Sequence, residues 1–223
     1  MKSGSRKIDI TADVLLKAYS CGIFPMAESA EDDELFWIEP KHRGIIPLDQ
    51  VHIPKRLART IRSEKFKVRI DQDFQGVMQG CADPRPDRPS TWINNRIKEL
   101  YYELFENGHC HTVEVYHDDT LVGGLYGVEL NAAFFGESMF SYMPDASKVA
   151  LIYLIARLKH AEFTLLDTQF VTDHLANFGA IEVSREEFQR RLERTRVRRR
   201  RDFGDLDTET PATGILQLVN QTS

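Results

Sequence analysis

Apolar and polar residues alternate along the chain with a period that changes from segment to segment. Helical spacing of apolar residues predicts helices over residues 12–19, 55–62, 92–108 and 146–160, and two shorter ones after Thr172 and Ser184. Runs rich in β-branched and aromatic residues predict strands over residues 66–70 and 163–171, and three strands between residues 110 and 141. The pattern therefore contains both helices and strands, with the strands concentrated in the centre.

The three central strands follow one another with short turns, at Asp118-Asp119 and at residues 129–132. Such turns join antiparallel neighbours, so the sequence predicts an α+β fold around a central, mostly antiparallel sheet. An acidic, aromatic and proline-bounded stretch before residue 50 predicts a small irregular N-terminal α/β domain, because Pro54 then opens a basic helix. We expect domains over residues 1–50 and 51–197, and a flexible tail over residues 198–223.

Composition narrows the class of protein. The chain has 223 residues, 42% of them hydrophobic and 28% charged, which excludes a disulfide-stapled mini-protein, a coiled coil and a mostly disordered chain. The net charge is -5, yet nine arginines and three glutamates lie between Arg185 and Arg201, so contact with an anionic polymer must be local. Three cysteines without paired spacing and the lack of an apolar leader or spanning segment predict a cytoplasmic protein without a membrane partner.

Two polar side chains interrupt the apolar strand over residues 163–171. Asp167 and Gln169 lie on one face of it because side chains alternate in a strand, and Thr168 faces the other way. A buried carboxylate is costly unless it is hydrogen-bonded. The pair is therefore either a satisfied structural network or a functional site, and spacing alone does not separate the two.

A second carboxylate, Glu137, stands among apolar residues in a neighbouring strand. Strict alternation predicts that Phe135, Glu137 and Met139 share one face. The two tryptophans, Trp37 and Trp92, either anchor the interface of two subdomains or stack on a ligand ring. The seven histidines have no metal-ligand spacing, so we expect no metal.

Nine motifs together carry a resemblance to a known family. They are YSCGIFPMAE (19–28), FWIEPKHRGIIPLD (36–49), TWI (91–93), GHCHTVEVY (108–116), LVGGLYGV (121–128), FFGESMFS (134–141), DASKVAL (145–151), LLDTQFVTDHLANFGA (165–180) and Arg185. In this order they resemble the bacterial leucyl/phenylalanyl-tRNA protein transferases over roughly residues 11–192. The resemblance implies a small N-terminal domain and a C-terminal domain similar to the GCN5-related acetyltransferases (GNAT-like).

The resemblance also implies an activity: transfer of Leu or Phe, less readily Met, from aminoacyl-tRNA to proteins that begin with Arg or Lys, which marks them for N-degron proteolysis. It implies a catalytic role for Asp167, Gln169 and Glu137. Trp37 and Trp92, with apolar neighbours, would receive the aminoacyl-adenosine end; the candidate wall residues are Phe135, Met139 and Phe140. We expect no cofactor, because the ester supplies the driving force, and a monomer.

This sequence departs from the family pattern at Phe36, Met26 and Thr168, where the family often has Trp, Trp and Cys. The first two changes affect the shape of the pocket and hence the preferred amino acid. For the tRNA backbone, the basic residues Lys55, Arg56, Arg59 and Arg62 and the segment Arg190 to Arg201 are equal candidates.

Two alternatives stay open at this point. An acyl-CoA acetyltransferase of the same fold would need a pyrophosphate loop, and only Gly204 has Arg or Gln three residues before it, at Arg201. Leu206 breaks the rest of that pattern. A non-catalytic module that binds tRNA or an N-degron is the other alternative, and a transfer assay separates it from an enzyme.

Overall fold

The computed structural model describes residues 10–32, 34–84 and 90–221. The described helices are α1 (Ala12–Ser20), α2 (Lys55–Arg62), α3 (Phe74–Ala82), α4 (Asn95–Glu106), α5 (Ala146–His160), α6 (Asp173–Ala176), α7 (Arg185–Thr195) and α8 (Ala212–Asn220). The described strands are β1 (Phe24–Met26), β2 (Phe36–Ile38), β3 (His42–Ile45), β4 (Lys67–Ile70), β5 (Cys110–His117), β6 (Thr120–Leu130), β7 (Ala133–Ser141), β8 (Leu165–Gln169) and β9 (Ile181–Ser184).

Seven strands form the central sheet, in the order β4-β5-β6-β7-β8-β3-β9. Every neighbouring pair is antiparallel except β7 and β8, which are parallel. Strands β1 and β2 form a separate antiparallel ribbon. The chain is thus a mixed α/β protein with a mixed sheet, and the central meander is where the sequence places it.

Helices cover both faces of the sheet. Helix α5 packs on one face, with α2 and α8 against it, and a large apolar cluster fills the space between them. Helices α1, α3, α4 and α7 lie on the other face over a second apolar cluster. No helix in the described ranges is both long and apolar enough to cross a membrane.

Local capping explains where several helices begin. The side-chain oxygens of Thr11, Asp73, Asn94, Thr172 and Ser184 each accept a hydrogen bond from a first-turn backbone N–H. Such caps stabilise a helix by about 1 kcal/mol each.

Asp145 is an exception among the cap positions. It precedes α5 in the left-handed region, with φ of 71°, and its carboxylate pairs with Arg56 and Lys148 instead of capping.

Strand β3 lies within the residues that we predicted as a separate N-terminal domain. The residues from His42 to Ile45 pair with β8 on one side and with β9 on the other, so they belong to the central sheet. The structure therefore differs from a small domain ending at residue 50, because this strand completes the sheet that residues 51–197 were expected to form alone.

The C-terminal segment also differs from the predicted flexible tail. Phe203 begins a short 3₁₀ turn and is buried, and α8 buries Ile215 and Leu216 in the cluster around α5. Arg157 donates from Nη1 to the carbonyl oxygen of Phe203 at 2.9 Å, and Lys159 donates from Nζ to that of Val219 at 2.8 Å. The apolar spacing within this segment is what the sequence analysis overlooked.

A β-bulge in β7 changes which side chains share a face. Tyr126 pairs with Ser138 and Gly127 pairs with Gly136, so Glu137 has no partner residue on β6. One extra residue reverses the alternation beyond it. Phe135 accordingly packs on the α1 and α4 face while Met139 packs on the α5 face, and the prediction that both share a face with Glu137 is wrong.

Candidate active site

The parallel strands β7 and β8 separate along their length and leave a gap in the sheet. They pair only where residues Ala133 to Phe135 face Leu165 to Asp167. Beyond this point β7 continues to Ser141 and β8 to Gln169 without pairing with each other. A cavity of about 350 Å³ lies at this opening, within the size range of small-ligand sites.

The wall of this cavity is mostly apolar, with a few polar groups. Its apolar part comes from both faces of the sheet and includes Leu125, Met139, Leu151, Leu154 and Leu166. Aromatic and sulfur-containing side chains from the N-terminal ribbon and the loops also contribute, namely Phe24, Met26, Trp92 and Phe170. The polar side chains include Glu137, Ser138, Thr168, Gln169 and His174. Such a wall suits a ligand that combines an apolar body with one reacting polar centre.

Gln169 ends β8 with an unusual backbone. Its φ is 57°, the left-handed region that a non-glycine residue rarely adopts, and such outliers cluster at functional sites. Its backbone N–H donates to Oδ1 of Asp167 at 2.9 Å and its side-chain Nε2 donates to Oδ2 of the same residue at 3.3 Å. A carboxylate can only accept, so the amide nitrogen must face Asp167 and the amide oxygen is left for another donor.

Asp167 is itself held by a buried arginine. Nε of Arg43 donates to its Oδ1 at 2.8 Å and Nη2 donates to its Oδ2 at 2.6 Å, a two-point ion pair whose side chains are 2% and 0% exposed. Nη1 of Arg43 donates to the carbonyl oxygen of Gly22 at 2.8 Å, and the guanidinium lies 4.6 Å from the ring centres of both Phe24 and Phe188. Each of the three guanidinium nitrogens of Arg43 therefore donates a hydrogen bond, as a buried charge requires.

Gly44 allows β8 to pass close to β3 at this point. A Cβ atom on Gly44 would lie 2.6 Å from the backbone carbonyl carbon of Phe170 and 2.8 Å from the backbone nitrogen of Val171. Only glycine fits such an approach without a backbone shift. Phe170 then projects from the cavity rim with 49% of its surface exposed, its ring edge-on to that of Phe24.

The second carboxylate, Glu137, contacts two tyrosines and, among the described residues, has no cation within ion-pair distance. Its Oε1 lies 2.7 Å from the hydroxyl oxygen of Tyr19 and its Oε2 lies 3.0 Å from that of Tyr101, both at hydrogen-bond distance. Burial raises the pKa of Glu137 from its ordinary 4.5 to about 7, against the opposing effect of the tyrosine hydrogen bonds. The cavity therefore has a carboxyl group that changes charge near neutral pH.

The structure brings five of the predicted site residues together. Glu137, Gln169, Trp92 and Met139 line the cavity, and Asp167 lies directly behind Gln169. Thr168, expected to face away, also contributes to the wall, because β8 ends at this point.

Three predicted wall residues lie elsewhere. Phe135 and Phe140 are buried in the core and do not line the cavity: Phe135 packs on the ring of Tyr19, and Phe140 packs where Gly80 leaves room. Trp37 is 40% exposed in the β1–β2 ribbon, where its register partner is Pro25, and it is outside the cavity wall as well.

The basic residues Lys55, Arg56, Arg59 and Arg62 are exposed on α2, as an amphipathic helix would place them. Arg56 pairs with Asp145 at 2.9 Å in front of α5. In the parts of the chain described, no three His, Cys, Asp or Glu side chains come together in a group that could hold a metal ion.

Sequence reasoning missed Arg43, Tyr19 and Tyr101. The signal for Arg43 is its place directly before Gly44, Ile45 and Ile46 in a short strand, because a cation that a buried strand carries inward needs a partner. The two tyrosines gave no such signal, since an aromatic at helical spacing is ordinary core. Their convergence on Glu137 depends on the packing of α1 and α4 over the bulge in β7.

Sequence comparisons with known proteins identify the family. A sequence model described as the leucyl/phenylalanyl-tRNA protein transferase N-terminal domain matches residues 8–41, and one described as leucyl/phenylalanyl-tRNA protein transferase matches residues 45–193. Proteins named leucyl/phenylalanyl-tRNA–protein transferase are similar at full length. The one from Nitrobacter winogradskyi is 57% identical and covers 94% of this chain and 93% of its own. The one from Paramagnetospirillum magneticum is 58% identical over 82% of this chain and 88% of its own. With both domain models matched over most of its length, this chain belongs to the leucyl/phenylalanyl-tRNA protein transferase family, a family of aminoacyltransferases.

Proposed function

We propose that this protein transfers Leu or Phe, and less readily Met, from aminoacyl-tRNA to the N-terminal α-amine of proteins that begin with Arg or Lys. The product would carry an N-degron for proteolysis. The observation that carries this proposal is the amide of Gln169, fixed by Asp167 at the wall of an apolar cavity. We expect the protein to act as a monomer in the cytoplasm.

The reaction is aminolysis of an ester. The amine nitrogen attacks the ester carbonyl, a C–N bond forms, the C–O bond to the ribose breaks, and the ribose oxygen leaves with a proton. An α-amine has a reference pKa of about 7.7 to 8.0, so a useful fraction is neutral near pH 7. The protein then needs chiefly to hold the amine and the carbonyl in attack geometry.

Gln169 is the group that we propose for this positioning. Its amide oxygen, left available because Nε2 donates to Asp167, would accept a hydrogen bond from the attacking amine. Asp167 would orient Gln169 and increase the partial charge on its oxygen. Glu137 would complete the polar part of the same wall.

The apolar part of the cavity suits the amino-acid side chain of the donor. Leu125, Leu151, Leu154, Leu166 and Met139 present no charge, and an unbranched Cβ would distinguish Leu, Phe and Met from Val and Ile. Discrimination of this kind in an apolar pocket is limited to about 1 to 3 kcal/mol. Trp92 at the same wall is the residue that we propose for contact with the aminoacyl-adenosine.

The sheet supports a likeness to the GCN5-related acetyltransferases. A central antiparallel meander leads into a parallel neighbour, β7 and β8, that splays away from it and opens a cavity. We propose a GNAT-like fold on this topology, with the ester donor in the place of an acyl donor.

Helix α2 is the surface that we propose for the tRNA backbone. Its exposed cations Lys55, Arg59 and Arg62 lie on the side of α8. Arg56 pairs with Asp145 in front of α5, and Leu151 and Leu154 of α5 line the cavity. In the arginine-rich segment, by contrast, Arg190 and Arg191 both pair with Glu187, and Arg200 pairs with Glu129. Arg59→Glu with Arg62→Glu should raise the KM for aminoacyl-tRNA and flatten its salt dependence.

Transfer of labelled Phe from Phe-tRNA to a peptide that begins with Arg tests the proposal. We expect transfer to this peptide and to one beginning with Lys, and none to one beginning with Gly. Asp167→Ala and Gln169→Ala, checked for folding by circular dichroism, should lower the rate at least a hundredfold. Wild-type rates in both folded variants would overturn the assignment, and equal transfer to the Gly peptide would overturn the acceptor specificity.

A further inference from the structure

Three contacts close a ring around the carboxyl group of Glu137. Besides the two contacts from Tyr19 and Tyr101 to its oxygens, the two phenol oxygens lie 2.5 Å from each other. Tyr19 and Tyr101 are both fully buried, and they reach Glu137 from different helices, α1 and α4. The ring therefore joins two helices to the bulge in β7.

The number of protons in this ring decides the charge of Glu137. Each phenol brings one proton, and a carboxylate brings none. If Glu137 were ionised, two protons would have to serve three contacts, so one pair of oxygens would lie within 3.0 Å of each other with no proton between them. A third proton, carried by Glu137, gives every contact one donor and one acceptor.

We propose that Glu137 is a neutral carboxylic acid at the cavity wall, kept uncharged by burial and positioned by its ring of hydrogen bonds with Tyr19 and Tyr101, and that this uncharged form is the one active in transfer. The two tyrosines are then positioning residues that act through Glu137. The second half of the proposal rests on the proposed function, because an uncharged acid suits a wall that receives the side chain of Leu, Phe or Met.

The other charged and titratable groups around the ring agree with a neutral acid. They are Arg43 on β3, Cys110 on β5, Tyr126 on β6 and Asp167 on β8. Arg43 is the one cation among these described groups, and its fork is already bonded to Asp167 and Gly22. Burial raises the pKa of both Tyr19 and Tyr101 well above 10, so the phenols keep their protons beside a neutral Glu137.

Infrared difference spectroscopy tests the charge of Glu137 without using the activity. The spectrum of the wild type minus that of Glu137→Gln should show the carbonyl stretch of a protonated carboxylic acid at pH 6, and the band should fade between pH 7 and 8. Tyr101→Phe removes a hydrogen bond that stabilises the anion, so its band should persist to higher pH. Tyr102→Phe is the matched control, because Tyr102 follows on the same helix and its hydroxyl faces Glu106, and its band should titrate as in the wild type.

The pH profile of transfer tests the second half. The ratio of the wild-type rate to the Glu137→Gln rate cancels the titration of the acceptor amine, which both proteins share. We expect this ratio to fall about tenfold per pH unit above pH 7. When the rate of Tyr101→Phe takes the place of the wild-type rate in the ratio, the fall should begin at higher pH. Tyr102→Phe should follow the wild type.

Three outcomes would count against the proposal. If the carbonyl band of a protonated carboxylic acid is absent at pH 6, Glu137 is ionised there and the neutral ring of Glu137 with Tyr19 and Tyr101 is wrong. If Glu137→Gln is folded but inactive at every pH, or if its rate relative to the wild type does not change with pH, the uncharged form of Glu137 is not what transfer requires. If the band is present but the wild type transfers nothing to any acceptor, the proposed function fails while the neutral ring stands.

Discussion

Two carboxyl groups lie at the same opening of the sheet, on adjacent strands, and are held in opposite ways. Asp167 on β8 has a two-point ion pair with Arg43 and a hydrogen bond from Gln169. Glu137 on β7 has two phenols and no cation within ion-pair distance. The first is a fixed charge that orients a neighbour, and the second is a group whose charge follows the pH.

This difference comes from how each strand delivers its side chain. Asp167 pairs with Ile45 of β3 and with Phe135 of β7, beside a register shift in the pairing of β3 with β8, and β3 carries Arg43 close to it. Glu137 lies at a bulge, outside the alternation, and is aimed at the helices on one face. One site therefore depends on strand register and the other on helix packing, and they should respond differently to substitution.

The largest expected effect is on the ion pair. Arg43→Ala leaves Asp167 as a buried charge without a partner, so we expect the free energy of unfolding to fall by about 3 to 5 kcal/mol. The double variant Arg43→Met with Asp167→Leu should recover most of this loss, because an apolar pair needs no partner, yet it should not regain transfer activity. Denaturant unfolding of the three proteins measures this. A loss below about 1 kcal/mol in the single variant would contradict the account.

The second effect is a dependence of stability on pH that belongs to Glu137. Its pKa is about 7 in the folded chain and 4.5 as a reference, so the unfolded chain loses the proton first as the pH rises. The stability should therefore fall between about pH 4.5 and pH 7 and then level off, by up to about 3 kcal/mol.

Glu137→Gln has no such proton to lose. Its advantage over the wild type in free energy of unfolding should grow over this pH range and stay constant above it. Urea unfolding at pH 5, 6, 7 and 8 gives the measurement. A constant difference from pH 5 to pH 8 would show that Glu137 titrates as an ordinary exposed carboxyl group.

A third substitution separates the position of the amide from its presence. Gln169→Asn keeps the amide and tolerates the left-handed backbone, but withdraws the amide oxygen by one methylene. A displacement of about 1 Å can lower a rate about a hundredfold, and we expect such a loss in transfer with little change in Tm. Gln79→Asn is the control, since Gln79 bonds Asp83 in a similar Gln–Asp pair outside the cavity wall. Unchanged transfer in Gln169→Asn would mean that this amide does not position the amine.

The smallest expected effect concerns the rim of the cavity. Phe170→Ala removes a ring that is already half exposed, so the Tm should change little. If the ring contacts a substrate, the KM for that substrate should rise about threefold to tenfold, in line with burial of half an aromatic side chain. Measuring KM separately for Phe-tRNA and for the acceptor peptide tells which one it contacts. Tyr102→Ala, which removes a similarly exposed ring away from the cavity, should change neither.

The sequence predicted the elements better than their assembly. Periodicity located the meander, α5 and β8, and alternation alone placed Asp167 and Gln169 on one face, since these depend on residues close in the chain. Alternation and composition also singled out Glu137 and Trp92, and the family resemblance gave both a functional role. It did not find Arg43, whose contact with Asp167 spans 124 positions, nor the bulge that turns Met139 to the opposite face. Apolar pattern also did not show that α8 completes the core, because a short amphipathic segment after an arginine run resembles a solvated tail.

The place of β3 in the sheet has a consequence for how the protein is made. This strand is among the first parts of the chain to be synthesised, but both of its neighbours, β8 and β9, come more than a hundred positions later. Contacts so distant in sequence are associated with slow folding. During synthesis on the ribosome, Arg43 stays exposed to solvent until Asp167 and the strands around it have emerged. The carboxylate that orients Gln169 therefore becomes fixed only as the last third of the chain joins the first fifth, and an incomplete chain carries no assembled active site.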